Sequence, residues 1–202
     1  RSSAASDVYK RQGLHSKDDP RVIWANPGEA LADPDVASMY PSFIVNYGVS
    51  PHHLSSKVFL GIVEWLRTTR LDAKHNGRKL EADALKIVIN RIYGALNDAM
   101  DYLYDPECTY TVTINLQLLL CNLIESFELN GFDVLSANTD GLLIRRPNDR
   151  LDLFNHICKE WEDYSKLSLD TEVFEKYCRS AVNDYIAVGY GFYDALQEYN
   201  RC

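Results

Sequence analysis

Three short blocks, far apart along the chain, constrain its fold more than any other feature of the sequence. They are DVASMYPS at 35–42, KIVINRIYG at 86–94 and SANTDG at 136–141. The first follows a stretch rich in turn residues, the second has the spacing of one helix face, and the third lies between two apolar runs. Because the blocks are distant in sequence, only the folded chain can bring their polar side chains together.

The hydrophobic pattern predicts an α+β fold with an antiparallel sheet. A loop containing Pro27, Gly28 and Pro34 is expected to lead into a strand that bears Asp35. Apolar runs on both sides of 138–141 predict a hairpin with its turn at those residues. Helices are predicted at about 56–73, 80–96, 111–129 and 151–165, and a further strand at 180–188.

The first two helices are predicted to form an αα-hairpin, because Gly77 between them is typical of a helix C-terminus. The residues expected on their buried faces are Phe59, Ile62, Val63, Leu66, Leu85, Val88 and Ile92. Basic residues gather in the same hairpin, at Arg67, Arg70, Lys74, Arg78 and Lys79. These cations could dock a polyanion or form a solvated helix face, and the pattern alone leaves both readings open.

Composition narrows the class of protein. Apolar residues make up 46% and charged residues 25% of the chain, which is ordinary for a soluble globular protein. The net charge of −8 argues mildly against nucleic-acid binding. No apolar run approaches the roughly 18 residues of a membrane span, so no membrane partner is expected. The five scattered cysteines lack metal-ligand spacing and fit reduced thiols in a cytoplasmic protein.

Aspartates in the first and third blocks suggest metal-dependent chemistry. Nucleotidyl transfer with two metals needs carboxylate oxygens held close together beside the reacting phosphate. Asp35 on a strand and Asp140 at a hairpin tip could supply them. An Asp in a hairpin turn is also ordinary turn chemistry. If the blocks belong to another kind of α+β enzyme and match by accident, Asp35 and Asp140 are expected to lie far apart.

In this order and at this spacing, the blocks resemble motifs A, B and C of the family B (alpha-like) DNA polymerases, over about residues 21–190. The resemblance implies an antiparallel-sheet polymerase palm with a two-helix fingers hairpin inserted. The implied division is palm at 13–55 and 100–190, fingers at 56–99 and the start of a thumb at 191–202. Residues 1–12 are expected to be a non-native or disordered start, and the chain a fragment of a larger enzyme of phage or other viral type.

The resemblance also implies a catalytic metal site. Asp35 and Asp140 would be the catalytic residues and, with Val36, would hold two Mg²⁺ ions, for which Mn²⁺ could substitute. Two positions depart from the family pattern. Asn138 stands where an Asp is usual, and Gly141 stands where a Ser is usual. The missing carboxylate should weaken metal binding and lower the repulsion among the remaining ones.

Further residues are implied to bind nucleotide and DNA. The amides of Ser38 and Met39 would hold phosphate oxygens, while Tyr40 would pack under the sugar and exclude a 2′-hydroxyl. The nucleotide-binding residues implied are Ser38, Met39, Tyr40, Arg70, Lys74, Lys86, Asn90, Tyr93 and Gly94. The DNA-binding residues implied are Asn138, Thr139 and Tyr185, the last in a motif whose usual Lys is replaced by Asn183.

The implied function is template-directed DNA synthesis, in which a primer 3′-hydroxyl attacks the α-phosphate of a dNTP. Primer–template DNA and dNTPs would be the partners, together with replication accessory proteins. The alternative, prompted by Asn138, is a catalytically degenerate polymerase fold that binds DNA as a scaffold. Without the motifs, Tyr40 would read as a buried aromatic and Lys86 as a solvated cation. Glu172 could be an accessory carboxylate, but a surface helix is the simpler interpretation.

Overall fold

A computed structural model describes residues 20–181 and 184–189 of the chain. The described residues form two compact units. Residues 37–118 make the first, called the helical unit here, and 20–36 with 119–189 make the second, called the sheet unit. The expectations for 1–12, for 191–202 and for Asn183 lie outside the described residues.

The sheet unit is built on an antiparallel sheet, as the sequence predicts. Its strands are β1 (Arg21–Trp24), β2 (Glu29–Val36), β3 (Asp133–Ala137), β4 (Leu142–Pro147), β5 (Leu169–Ala181) and β6 (Asp184–Gly189). The strand order is β1-β5-β2-β4-β3, and β6 also pairs with β5. Every pairing is antiparallel. The sheet brings β2, from near the start of the described chain, between two strands from its second half.

Apolar side chains on the strands form one core of the sheet unit. The cluster consists of Ile23, Leu31, Leu143, Phe174 and Tyr177. It joins residues from β1, β2, β4 and β5, so it forms only when distant parts of the chain pair correctly. Burial of such side chains is the main stabilising contribution to a fold of this kind.

A second core of the sheet unit is aromatic. Phe127, Phe132 and Phe154 have ring centroids 5.1–6.1 Å apart. Phe154 lies on helix α5 (Leu151–Ser165), which follows a short 3₁₀ turn at Asn148–Arg150. Trp161, two turns further along α5, donates a 2.8 Å hydrogen bond from its ring nitrogen to the Leu119 carbonyl. The indole is therefore buried without leaving its N–H unpaired.

Three helices and the first part of a fourth make up the helical unit. They are α1 (Met39–Tyr47), α2 (Ser56–His75), α3 (Lys79–Leu96) and α4 (Pro106–Leu129), and the boundary between the units falls within α4. Helices α2 and α3 pack against each other as the predicted hairpin. Gly77 in the turn has φ 69°, which is accessible to glycine at little cost. The turn is closed by a 2.9 Å bond from the Arg78 amide to the Ala73 carbonyl.

Helix α4 is long and apolar enough to cross a membrane by length and composition alone. It has 24 residues and a mean hydropathy of 1.2 over its most apolar window, 33% of which is buried. Its buried apolar residues recur every three or four positions, the pattern of a helix with one face in a core. They are Cys108, Val112, Leu116, Leu120, Leu123 and Phe127. A core helix accounts for this composition, and the expectation of no membrane partner stays a prediction.

Several sequence predictions about the strands are wrong. The stretch read as a loop before Asp35 contains the end of β1 and most of β2. The pairing of β2 with β4 ends at Ala32, so Pro34 is paired only with β5. A proline is tolerated at such a position because its missing N–H is not needed for a second strand. The strand predicted at 180–188 is the end of β5 followed by β6. Glu172 lies in β5, not on a surface helix.

The helix predictions are closer, with errors in their ends and faces. The helix predicted from Thr111 begins at Pro106, and α1 was not predicted as a helix at all. Ile62 and Val88, expected on buried faces, are 51% and 46% exposed. Helical spacing identified the right elements, but neighbouring apolar positions on one helix cannot be assigned to core or solvent without knowing what packs against them.

Candidate active site

Acidic side chains line one face of the sheet unit where β2 ends. Burial alternates along the end of β2, so Asp33 and Asp35 point to one face while Pro34 and Val36 point to the other. In the register with β5, Asp33 lies opposite Glu172 and Asp35 lies opposite Asp170. Like charges directly opposite each other destabilise a sheet, so this arrangement is costly unless a proton or a cation offsets it.

The hairpin tip between β3 and β4 brings Asp140 to the same place. The Val36 amide donates a 2.7 Å hydrogen bond to the Asp140 carbonyl, and Asp35 and Gly141 form an isolated antiparallel bridge. The first and third blocks therefore lie side by side. An accidental match of the blocks predicted Asp35 and Asp140 far apart, and the structure places them together.

The proximity of these groups perturbs their acid–base behaviour. Burial, and then the charges of Asp140 and Asp33, raise the pKa of Asp35 to about 7. Burial, and then the charges of Glu172 and Asp140, raise the pKa of Asp33 to about 6. We call Asp33, Asp35, Asp140, Asp170 and Glu172 the carboxylate cluster. Within residues 20–181 and 184–189, no three Asp, Glu, His or Cys side chains converge closely enough to form a ready-made metal centre.

Gly141 allows the two blocks to approach this closely. A Cβ atom at this position would lie 2.9 Å from Asp35 Oδ1, 3.3 Å from the Pro34 carbonyl oxygen and 3.4 Å from Asp33 Oδ1. Real Cβ contacts are essentially never as short as the first of these. The glycine that replaces the usual Ser therefore fits the position of the Asp35 carboxylate in this chain.

Asn138 has a structural task in the hairpin tip. Its Oδ1 accepts hydrogen bonds from the Asp140 amide at 3.2 Å and the Gly141 amide at 2.7 Å. Its own amide donates a 3.0 Å bond to the Gly141 carbonyl. This is the side-chain-to-backbone pattern that makes Asn common in turns. Thr139 lies half-buried in the same tip. The DNA-binding roles implied for Asn138 and Thr139 stay predictions.

Tyr185 lies on β6 near the carboxylate cluster. Its ring stacks on Tyr177 with centroids 4.7 Å apart, and its side chain is 42% exposed. Burial, and then the charge of Asp33, raise the pKa of its phenol. Tyr185 is thus positioned by β5–β6 pairing, with its accessible part in an electronegative environment.

In the helical unit, Ser38 and Arg70 are brought together. Ser38 precedes the first residue of α1 and has a left-handed conformation, φ 48° and ψ 50°, that is uncommon for a residue other than glycine. An Arg70 guanidinium nitrogen donates to the Ser38 hydroxyl. The Met39 amide lies in the first turn of α1, where backbone N–H groups have no partner within the helix. Such an arrangement can bind an anion.

Tyr40 and Tyr93 also meet, although they come from different blocks. Their rings stack in parallel, with centroids 3.8 Å apart and planes inclined by 16°. The Tyr93 hydroxyl lies 2.6 Å from Thr113 Oγ1 on α4. Burial raises the pKa of Tyr93. The first and second blocks thus contact each other through these two aromatic side chains.

The other nucleotide-binding candidates are placed on helix surfaces. Lys86, Asn90 and Gly94 are exposed on α3, along one stripe as their spacing predicts. Lys74 is exposed near the end of α2. Arg67, which shares a helix with Arg70, is ion-paired with Glu64 at 2.9 Å. Arg67 also donates a 3.4 Å hydrogen bond to the Ser42 hydroxyl, so both arginines contact the first block.

Three residues of the candidate site escaped sequence reasoning, namely Asp33, Asp170 and Thr113. Asp33 carries a signal in hindsight, because it is two residues before Asp35 and strand periodicity places such residues on one face. The loop predicted around Pro34 concealed that signal. Thr113 carries none, because a threonine in an amphipathic helix is common and its partner Tyr93 is distant in sequence.

Comparison with known proteins agrees with the geometry. The chain is 27% identical over 190 residues to a DNA polymerase of Thermococcus gorgonarius, covering 78% of this chain and 24% of that protein. It is 26% identical over 116 residues to DNA polymerase II of Escherichia coli, covering 57% and 14% of the two chains. The structure of the family B DNA polymerase from Pyrobaculum calidifontis matches 89% of this chain and 29% of that one, with a TM-score of 0.58 and 17% identity.

These comparisons have clear bounds. No family model matches the chain. The chain spans about a quarter of the length of these curated archaeal polymerases. The relatives named above are from cellular organisms, so the prediction of a phage or other viral type is not supported. Over most of its length, this chain is related to the family B DNA polymerases.

Proposed function

We propose that this chain provides the nucleotidyl-transfer site of a DNA polymerase, which extends a primer 3′-hydroxyl with dNTPs. The 2.7 Å hydrogen bond from the Val36 amide to the Asp140 carbonyl carries this proposal, because it joins the two aspartate-bearing blocks. In this proposal the sheet unit corresponds to the palm, and the α2–α3 hairpin corresponds to the fingers. Primer–template DNA and dNTPs are the substrates.

The donor atoms of the carboxylate cluster suit a hard divalent cation such as Mg²⁺. All its side chains offer carboxylate oxygens, the ligands that Mg²⁺ prefers, and a cation would offset their mutual repulsion. Gly141 leaves open the space next to Asp35 Oδ1 that any Cβ would occupy. We propose that Asp35 and Asp140 hold the ions together with Val36, with Asp33 as a further carboxylate. When bound, the ions lower the pKa of the primer 3′-hydroxyl and offset charge on the triphosphate, and Mn²⁺ can replace Mg²⁺.

Residues of the helical unit take the nucleotide in this proposal. Arg70 and Lys86 offset negative charge on the triphosphate, where several converging cations stabilise the transition state. The amides of Ser38 and Met39 bind phosphate oxygens. Tyr40 lies under the sugar and excludes a 2′-hydroxyl. Lys74 and Asn90 contact the triphosphate, while Tyr93 and Gly94 border the nascent base pair. In the sheet unit, Asn138, Thr139 and Tyr185 contact the primer–template.

Removal of either central aspartate tests the proposal. In the complete gene product, Asp35→Ala and Asp140→Ala should each reduce primer extension by more than roughly 10³-fold, as expected when a group that acts in the transition state is lost. DNA binding should change little, because these residues hold ions and not the duplex. Asp133→Ala is a matched control. It removes the same charge from the exposed strand β3, where the Asp133 side chain is 67% exposed. Extension by either cluster variant at the wild-type rate would refute the proposal.

A second candidate is a DNA-binding scaffold without catalysis. Two observations favour it: Asn138 supplies no carboxylate, and its Oδ1 is already used in the turn. Calorimetric titration with Mg²⁺ separates the two functions. A polymerase site should bind Mg²⁺ in a way that Asp35→Ala abolishes, whereas a scaffold should bind primer–template DNA equally well with or without Mg²⁺ and show no such loss.

A further inference from the structure

The hydroxyl of Tyr93 is held by a buried threonine. Thr113 is 2% exposed, and its Oγ1 lies 2.6 Å from the Tyr93 hydroxyl. The Thr113 hydroxyl itself donates a 2.8 Å hydrogen bond to the Thr109 carbonyl, one turn earlier in α4. Since a hydroxyl has only one proton, Thr113 must accept from Tyr93. The direction of the bond therefore follows from the geometry, and Tyr93 is the donor.

This bond is part of a longer chain of contacts that reaches Tyr40. The ring of Tyr93 stacks on that of Tyr40 with centroids 3.8 Å apart and planes inclined by 16°. The contacts therefore run from Tyr40 to Tyr93 by ring stacking, and from Tyr93 to Thr113 and the Thr109 carbonyl by hydrogen bonds. Through Thr113, the stacked pair is thus tied to the backbone of α4.

We propose that Thr113 is a positioning residue that keeps Tyr40 in place for discrimination between deoxyribonucleotides and ribonucleotides. The proposal rests on the function proposed above, in which Tyr40 lies under the sugar. A ring can exclude a single hydroxyl group only if it cannot move aside. Stacking on Tyr93 supports Tyr40 from one side, and the bond to Thr113 prevents Tyr93 from yielding. Without that bond, both rings gain freedom and a 2′-hydroxyl meets less resistance.

The chain offers a closely matched control at Thr109. Thr109 is 1% exposed on the same helix, and its hydroxyl donates to the Asp105 carbonyl at 3.1 Å. Thr109 and Thr113 therefore share burial, helix and the bond to the carbonyl four residues earlier. They differ in that the Tyr93 hydroxyl lies against Thr113. Replacing either by Val keeps the shape of the side chain and removes the hydroxyl.

The test is the ratio of kcat/KM for rNTPs to kcat/KM for dNTPs, measured by primer extension with the complete gene product. Thr113→Val should raise this ratio by about threefold to tenfold, the effect expected for one neutral hydrogen bond. Thr113→Ser keeps the hydroxyl and should stay within about twofold of wild type, as should Thr109→Val. A purely structural Thr113 would lower both efficiencies equally and leave the ratio unchanged, which would overturn the proposal.

A double-mutant cycle identifies the contact responsible. Tyr93→Phe removes the same hydrogen bond from its other end, so Tyr93→Phe combined with Thr113→Val should raise the ratio no further than either change alone. The same cycle, measured by urea unfolding of the 202-residue chain, should also be non-additive. Additive effects on unfolding would contradict the positioning role of Thr113 without contradicting the proposed polymerase function. Absence of any extension by the wild type would remove the proposed function and the sugar role together.

Discussion

At the scale of single residues, Gly141 has no space for a side chain beside the Asp35 carboxylate. A Cβ atom at Gly141 would lie 2.9 Å from Asp35 Oδ1, so any other residue here would have to displace the Asp35 carboxylate or the backbone. The Pro34 carbonyl, 3.3 Å from the same point, limits how far the backbone can shift in response. The side chain that can move most easily is therefore Asp35, the residue proposed to hold metal.

Replacement of Gly141 should accordingly affect ion binding more than folding. In Gly141→Ala, the new methyl group should rotate the Asp35 carboxylate and weaken Mg²⁺ or Mn²⁺ binding by about 10–100-fold, as is typical when the support of a metal ligand is disturbed. Isothermal titration calorimetry measures this directly. Gly189→Ala, on β6, is the control, because nothing lies within 4 Å of its Cβ position. Equal affinities in the two variants would mean that Asp35 does not hold the ion in this conformation.

At the scale of elements, the sequence predicted the helices better than the strands, for a physical reason. A helix repeats its apolar face over many residues, so α2, α3 and α5 were recognisable from periodicity alone. Strand β5 does not alternate regularly between polar and apolar residues, and its partners β1 and β2 lie far away in sequence, so no local signal marks it. Pro34 suggested a loop, because its tolerance within β2 depends on where pairing with β4 ends.

The same distinction separates what could be foreseen of the candidate site. The resemblance to polymerase motifs implied that Asp35 and Asp140 lie together, and helical spacing put Lys86 and Asn90 on one stripe of α3. Neither could foresee that Asn138 would close the hairpin tip or that Thr113 would hold Tyr93. Those contacts depend on side-chain directions in three dimensions, which a one-dimensional pattern does not contain.

The stripe on α3 leads to a prediction at this scale. Lys79 and Lys86 are both exposed, carry the same charge and lie seven residues apart on one helix, so they share a face. If Lys86 contacts the triphosphate, Lys86→Ala should lower the rate of primer extension by roughly 10²–10³-fold. Lys79→Ala should change that rate by less than about threefold, as for an ordinary surface substitution.

Salt distinguishes a specific contact from a diffuse basic patch. A patch acting through its general field would give similar losses in the Lys79 and Lys86 variants, and raised ionic strength would remove both losses because it screens exposed charges. Single-turnover rates at low and high salt measure this. A loss confined to Lys86→Ala that persists in salt supports the triphosphate contact, and matching losses that vanish would contradict it.

At the scale of the whole molecule, the charges are unevenly distributed. Asp and Glu number 29 against 21 Lys and Arg. Five carboxylates gather in the carboxylate cluster of the sheet unit, whereas the predicted basic stretch lies on the α2–α3 hairpin of the helical unit. A negative net charge is therefore compatible with a polyanionic substrate, because local charge and not the total decides where phosphate can bind. The cluster should also make stability depend on pH.

The sign of that dependence follows from the raised pKa values. Burial and neighbouring carboxylates raise the pKa of Asp35 to about 7 and that of Asp33 to about 6. In the unfolded chain both groups lose their protons near pH 4, so between there and about pH 7 the folded state binds more protons. Stability contributed by these groups is full below the unfolded pKa and is lost as the pH rises through about 6 to 7. His52, whose pKa is raised by its hydrogen bond with Asp105, contributes in the same direction.

Without divalent ions, the free energy of unfolding of the wild-type chain should therefore fall between about pH 5 and about pH 8. The free energy of unfolding of Asp35→Asn should fall less steeply over the same range. Comparing the two proteins cancels the contribution of His52. By pH 8, the wild type should have lost about 1–2 kcal/mol more unfolding free energy than Asp35→Asn, after allowance for the partial exposure of Asp35. Mg²⁺ should raise the free energy of unfolding of the wild type more at pH 8 than at pH 5, because it binds deprotonated carboxylates. Urea unfolding measures each quantity, with Asp133→Asn, whose side chain is 67% exposed, as the control. If the free energy of unfolding depends on pH equally in wild type and Asp35→Asn, repulsion within the carboxylate cluster does not destabilise the folded state.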